Sequence, residues 1–337
     1  MMSRCWMPGR LRLPALVVAL LLTSAGCSRD SDSGANPSGS AESTAPTVPT
    51  APTAPTAAGT PVTIMTAGDI AGDAKDATAT ADLIRAANPD AVVALGDQAY
   101  PDGSASDYAN KYDPTWGFLK DRTHPVPGNH DYKTADAAGY VGYFGAQNVT
   151  NSVDGGLYYA WDVGNGWRAY AVNTEISTSG KQLTWLRDDV AAHPGMHYIL
   201  YTHHPRYTSG SPHGPSKDIC PLWDELAATG GLEIVLAGHN HQYERFAPMD
   251  CAGQASADGA RSFVVGSGGN DLYEFGSVQR GSELQNNTDF GVLALVLSEN
   301  SYEWEFIASG RGQYGSAKKD TNSAGQILDK GSDTAER

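Results

Sequence analysis

The hydrophobic positions fall into short runs with two periods. "PVTIMTAGD", ending at Asp69, and "DAVVALGD", ending at Asp97, are apolar runs of strand length that each stop at Gly-Asp. Between them "DATATADLIRAANP" spaces its apolar residues as a helix does. The alternation returns in "THPVPGNHD", in "MHYILYTHHP" after the helix-like "GKQLTWLRDDVAAHP", and in "EIVLAGHNH" after "PLWDELAATGG". Strands alternating with helices predict an α/β arrangement. The later runs "GLYYAWDVGNGWRAYAVNT", "RSFVVGSGG", "FGVLALVLS" and "YEWEFIA" follow one another without helices and predict a second, more antiparallel sheet. Residues 311–337 turn polar and predict a frayed C-terminal tail beyond a domain of residues 61–310.

The first 60 residues obey neither period. Residues 1–26 carry three arginines, an apolar run and then small residues, the pattern of a secretory signal peptide whose apolar part is too short for a span. "TSAGC" resembles a bacterial lipobox with Ser24 where Leu is most usual, so Cys27 is expected to carry lipid and hold the protein at the cell surface, simple secretion being the alternative. Residues 27–60 are almost all Ser, Thr, Ala, Pro and Gly and read as an extended tether.

The net charge is −15 over 337 residues, and −18 once the three signal arginines leave. Such a surface repels nucleic acid and anionic lipid, which makes polymeric anions poor partners and leaves a small substrate. Of four cysteines, Cys220 and Cys251 remain in the folded part. Export makes a disulfide between them the expectation, with buried free thiols as the alternative.

The chemistry gathers at the strand ends, where ligands of α/β sheets bind. Five of them deliver Asp69, Asp97, Asn129 with His130, His203, and His239 with His241. In an extended segment His239 and His241 face the same side, whereas the adjacent His203 and His204 face opposite ones. Imidazole nitrogen suits borderline transition metals, and a carboxylate can bridge two ions. Two aspartates, an asparagine carbonyl and three histidines exceed the needs of one tetrahedral ion and suit two ions about 3.5 to 4 Å apart. Either Gly-Asp taken alone reads equally well as a turn cap.

"GDIA", "GDQAY", "GNHD", "THHPRY" with "SPHG", and "GHNHQYER" resemble, in order, the five blocks of the calcineurin-like metallophosphoesterases, and within that superfamily the purple acid phosphatases. Ala71 stands where many members have a histidine, and Tyr100 where a purple acid phosphatase has its metal-binding tyrosine. The resemblance implies a four-layer α/β/β/α sandwich of two mixed sheets flanked by helices, with the metal site at the C-terminal edge of the strands. It implies a first metal, expected to be iron, on Asp69, Asp97, Tyr100 and His241. A second metal, zinc, manganese or iron, would lie on Asp97, Asn129, His203 and His239. His130 and His213 match positions that contact the phosphate or protonate the leaving oxygen, and a metal-bound hydroxide would attack phosphorus in line. The stretch before Val62 would leave no room for the N-terminal sandwich domain of the larger plant-type enzymes, so a substrate preference inferred from them needs its own test here.

The expected function is therefore hydrolysis of small phosphate monoesters outside the membrane. Cleavage of diesters or cyclic nucleotides on the same centre, and a metal-stabilised surface binding domain without catalysis, are the alternatives. Asp131 follows His130 and is a candidate to orient it through a hydrogen bond, with no such role as the alternative; Glu244 and Arg245 are expected to hold their loop, and "GSGGND" to be a turn, since it lacks the lysine of a phosphate cradle. His124, His193 and His197 match no block. No Gly-x-Ser-x-Gly elbow is present to support serine hydrolysis.

Overall fold

The computed structural model describes residues 59–148 and 153–335. The signal segment and the tether up to residue 58 lie outside the described residues, so Cys27 does too. Two seven-stranded sheets organise the chain. In the first, β1 (Val62–Ala67), β2 (Ala91–Leu95) and β3 (Thr123–Val126) run parallel. On the other side of β1 come, antiparallel, β11 (Asp289–Leu297) and β12 (Ser301–Tyr314), the latter paired with both β13 (Ala317–Asp320) and β14 (Ile327–Thr334). The second sheet has a parallel centre of β5 (Trp167–Ala171), β6 (His197–Tyr201), β7 (Leu232–Ala237) and β9 (Arg261–Val265). Antiparallel β4 (Tyr159–Gly164) closes one side, and β8 (Tyr243–Phe246) with β10 (Ser282–Asn286) the other.

The period-2 pattern of the strands decides the layering. Ile199, Tyr201, Ile234 and Leu236 point into the large core shared with the first sheet. Their neighbours Tyr198, Leu200 and Val235 point the other way, onto Leu186, Leu222, Trp223 and Leu226 of helices Lys181–Ala192 and Cys220–Ala227. Burial on both faces is why these strands read as continuous apolar runs. The first sheet is covered by helix Ala74–Ala87, whose Ala77, Ala81 and Ile84 are buried at helical spacing. Asp73 caps its first turn by accepting from the amides of Lys75 and Asp76. The result is a four-layer α/β/β/α sandwich. Cys220 and Cys251 form a disulfide, their Cα atoms 5.7 Å apart. Among the described residues, no helix is long and apolar enough to cross a membrane.

Two expectations change. The late strands expected to be antiparallel do not form a sheet of their own: β11 and β12 extend the first sheet from β1, while β4 joins the second as an antiparallel edge and β5 and β9 join its parallel centre. Nor does the chain fray after residue 310. β12 continues to Tyr314 and β14 returns along it, because the acids of the polar stretch are used in ion pairs: Asp329 with Arg245 at 2.7 Å and Asp333 with Arg261 at 2.6 Å. Composition alone gave these acids no partners; the fold brings the arginines from β8 and β9.

Candidate metal centre

All five strand ends open on one edge, and the backbone there is bent sharply. Asp69, Asp97 and His239 have φ of 57°, 50° and 69°, in the left-handed region that residues with a Cβ rarely occupy. Such conformations persist where the surrounding structure over-determines them, and they cluster at functional sites. The bend changes the reason His239 and His241 converge. β7 ends at Ala237, and the next residues are not extended: the amide of Asn240 bonds the carbonyl of Gly238 at 2.8 Å, a γ-turn centred on His239.

Asp69 and Asp97 are almost wholly buried, and with buried His203 they form a group that could hold a metal. The Tyr100 hydroxyl donates to Asp69 Oδ1 at 2.9 Å and to Asp97 Oδ2 at 3.1 Å, and lies 3.0 Å from His241 Nε2. His241 Nε2 is 3.2 Å from Asp69 Oδ1. On the other side, His203 Nε2 lies 3.4 Å from the same Asp97 Oδ2, 3.1 Å from Asn129 Oδ1 and 3.2 Å from His239 Nδ1. Asp97 Oδ2 is thus common to both groups.

The surroundings leave the inward nitrogens bare. His203 Nδ1 faces the Leu95 carbonyl at 2.8 Å and His241 Nδ1 the Asp271 carbonyl at 2.6 Å, so in the neutral rings both Nδ1 atoms carry the proton and both Nε2 atoms present lone pairs. Those lone pairs point at carboxylate and amide oxygens, which are also acceptors. Against these protein charges alone, burial opposes charging His203, but Asp97 outweighs it and raises the ring to about 10. Burial would likewise raise Asp97, yet His203 holds it well below the usual carboxylate range. Burial and then Asp69 push the Tyr100 phenol far above 10. Burial and then His203 push His239 well down. A set of acceptors that must borrow protons to coexist is the environment a cation relieves.

His130 and His213 flank this cluster. The His130 amide donates to Asp97 Oδ1 at 2.8 Å, its Nε2 is 4.0 Å from Asp97 Oδ2, and its ring lies 4.5 Å from that of Tyr100. His213 packs its ring 4.2 Å from His239, and burial followed by His241 lowers its pKa. His204 stands behind His239 at 4.2 Å, with its Nδ1 3.0 Å from Glu175. His124 stacks on Trp161, His193 bonds the Asp189 carbonyl and His197 pairs with Glu233, none of them in the cluster.

Asp131 does not orient His130. Its Oδ2 accepts from the amides of Asp97 at 3.1 Å and Gly128 at 2.9 Å, and its Oδ1 from the Tyr108 hydroxyl at 2.7 Å, so it ties two of the site's loops together. Burial and then Asp97 raise its pKa to about 7. Glu244 does hold a loop, accepting from the Ser209 amide at 2.7 Å and from the hydroxyls of Ser209 and Ser282 at 2.6 Å each. The "GSGGND" segment is a turn, but one packed under the site: the amide of Asn270 bonds the Asp69 carbonyl at 2.9 Å, and Tyr273 stacks on His241 at 3.9 Å and 13°. Sequence reasoning missed Asp271 and Tyr273, and also Lys133, whose Nζ is 2.8 Å from His130 Nδ1. The available signal for the first two was position: β9 is a sixth strand ending at this edge.

Strand ends converging on a buried group of metal-binding side chains define the class, a metallohydrolase built on two mixed sheets. The model of the calcineurin-like phosphoesterase family matches residues 62–243, more than half of the chain. The chain belongs to that family, whose members are metal-dependent phosphoester hydrolases and which implies a dinuclear metal centre. Within it the similarity is to purple acid phosphatases. Purple acid phosphatases 21 and 23 of Arabidopsis thaliana are each 26% identical to it, over 233 residues (62% of this chain and 50% of the relative) and 223 residues (55% and 48%). The chain therefore spans about half the length of these curated relatives. Among solved structures, purple acid phosphatase PPD1 from yellow lupin (Lupinus luteus) seeds superposes with a TM-score of 0.58 at 18% identity, over 81% of this chain and 53% of that one. GAP50, the anchor in the inner membrane complex of Plasmodium, has a TM-score of 0.56 at 17% identity over 79% and 90%. A dimetal phosphatase from Danio rerio has 0.54 at 13% over 74% and 97%. At these identities the solved structures speak for the fold alone.

Proposed function

We propose that this chain is an exported phosphoesterase that hydrolyses small phosphate monoesters at a dinuclear metal centre. One observation carries the reading: ligand atoms of mostly buried residues converge in two groups, neighbours 2.9 to 3.4 Å apart, and Asp97 Oδ2 belongs to both. Around an ion bound at about 2.1 Å, neighbouring donors lie about 3.0 Å apart at octahedral angles and about 3.4 Å apart at tetrahedral ones. Hydrogen bonds span the same distances, so what singles this cluster out is that lone pairs of His203 Nε2, Asn129 Oδ1 and Asp97 Oδ2 face one another, the His203 Nδ1 proton being spent on Leu95. The donor set therefore fits two ions, one on Asp69, Asp97, Tyr100 and His241, the other on Asp97, Asn129, His203 and His239.

The first set, with two carboxylates and a phenol, is the harder and more anionic, and we assign it iron. The second, an amide oxygen with two imidazoles, suits zinc, manganese or iron. When bound, the pair would polarise a phosphoryl oxygen and lower the pKa of a water. The protein's own part is to aim charge and protons. Asp97 presents one oxygen to both sets while its other accepts from the His130 amide, which keeps that carboxylate from rotating. His130 would donate to a phosphoryl oxygen, and His213 would give its proton to the departing alkoxide.

The relatives named purple acid phosphatases support a monoester preference. The apolar N-terminal run ending at Cys27 supports export, with a lipid on Cys27 and the Ser/Thr/Ala/Pro tether standing the domain off the membrane. The test is hydrolysis of a chromogenic phosphate monoester beside the matching diester by the full chain, with and without prior chelation. Chelator-sensitive turnover with the monoester ahead supports the proposal. The diester ahead replaces it with phosphodiesterase, and no turnover by protein that still binds metal replaces it with a binding domain.

A further inference from the structure

We propose that the hairpin of β12 and β13 is a positioning element for the first metal site, acting through Gln313 and Lys318 on the loop 269–273. The inference rests on the metal-centre reading above and goes beyond it, since both residues lie well past residue 243, where the family match ends.

His241 keeps Nε2 bare only while its Nδ1 proton has an acceptor, and that acceptor is a backbone carbonyl, Asp271 O at 2.6 Å. A carbonyl in a loop is only as fixed as the loop. This one belongs to no strand or helix, and the Asp271 side chain is 70% exposed, so nothing in its own burial holds it. The hairpin supplies the restraint. The Gln313 side-chain amide pairs with both backbone groups of Leu272, accepting from its N–H at 2.9 Å and donating to its carbonyl at 3.2 Å, as a neighbouring strand would. Lys318 Nζ bridges Asp271 Oδ1 at 2.8 Å and the fully buried Asp76 Oδ2 at 3.0 Å. Asp76 is itself held by Arg311 Nε at 2.8 Å. The loop is thus clamped at two consecutive residues. Its other side bears on the site, through the Asn270 amide on the Asp69 carbonyl at 2.9 Å and the Tyr273 ring on His241.

Removing the Gln313 amide takes both backbone partners from Leu272, whose side chain stays buried, and so loosens the Asp271 carbonyl that orients the His241 ring. The His203 side of the cluster takes its orientation from Leu95 O in β2 and is untouched. Loss of an outer partner of a metal ligand typically costs about 10–100-fold in metal affinity. Gln313 acts one bond further out, so about tenfold is expected.

The experiment titrates the chelator-stripped full chain with Zn2+ alone, following heat by calorimetry and the ultraviolet difference absorbance of ionised tyrosine, with Tyr100→Phe as the blank for that signal. In the wild type two ions bind, one carrying the tyrosine signal. In Gln313→Ala that ion weakens about tenfold while the other is unchanged, and the stripped protein melts as the wild type does. Lys318→Met shifts the same ion in the same direction and carries the test by itself should Gln313→Ala not fold. Lys319→Ala, exposed on the same hairpin, changes neither ion. Unchanged affinities in both test variants overturn the inference. So does equal weakening of both ions, which marks general loosening. A wild type that takes fewer than two ions refutes the metal-centre reading itself, a result seen before any variant is made.

Discussion

Gly266→Ala tests whether the turn after β9 is packed as a floor for the site. A Cβ at Gly266 would sit 2.2 Å from the Asn240 carbonyl oxygen and 2.7 Å from Asp69 Oδ2. An ordinary contact starts at 3.4 Å, so the backbone must give by about 1.2 Å on one side and the carboxylate by about 0.7 Å on the other. Neither can yield freely. Asp69 Oδ2 accepts the His239 amide at 2.8 Å, and Asn240 lies between the two histidines of the last motif. Overpacking of this kind costs about 1–3 kcal/mol of stability. A displacement near 1 Å at the reacting centre costs about 10²-fold in rate. The expected result is a folded protein with a lower melting temperature and kcat/KM for a chromogenic monoester reduced by about two orders of magnitude at saturating metal. Gly142→Ala is the control: nothing lies within 4 Å of its added Cβ, and the glycine is in helix Ala138–Asn148. That change should leave the rate alone and add about 0.5–1 kcal/mol of stability. A Gly266→Ala enzyme with wild-type rate and melting temperature would refute the reasoning.

Asp97→Asn should lose bound metal and monoester turnover together, because its Oδ2 belongs to both donor groups; metal analysis beside the rate assay checks this, and full activity contradicts it. His213→Ala should keep its metal and lose about 10²–10⁴ in kcat, the range of a missing general acid; loss of metal instead would make His213 a structural support for His239. Burial on Trp161 lowers His124 from 6.5 to about 4. Between those values the unfolded chain takes up a proton that the native chain refuses, so stability falls as pH drops through this window, by roughly 3 kcal/mol in all, and levels off below it. His124→Phe should shrink the difference between urea melts at neutral and mildly acid pH; an unchanged difference would place the acid sensitivity elsewhere.

Most of the candidate donors were legible because they sit at strand ends marked by a grammar of apolar run then Gly-Asp, Asn-His, His-His or His-x-His, whereas Tyr100 came only from the family resemblance. Periodicity finds such ends without knowing the sheet order. What it could not supply was anything that depends on pairing. The late strands read as a separate sheet because nothing local in "FGVLALVLS" says that its neighbour will be β1, more than 200 positions earlier, as Leu297 opposite Val62 shows. Residues 311–337 read as a tail because Asp329 and Asp333 meet Arg245 and Arg261 only after folding. The i, i+2 argument for His239 and His241 assumed an extended segment, whereas the chain brings both to the cluster through a γ-turn at φ 69°. Asp131 misled in the same way: adjacency to His130 suggested a partner, whereas its carboxylate turns back to the amides of Asp97 and Gly128.

The most direct test of the account is to count the ions. Chelator-stripped full chain is given back metal in known equivalents while bound metal and monoester hydrolysis are followed together. The account predicts two ions per chain, with turnover appearing as the second is taken up and absent in Asp97→Asn. Full turnover with one ion, or turnover that survives stripping, would contradict a centre built around the shared oxygen of Asp97.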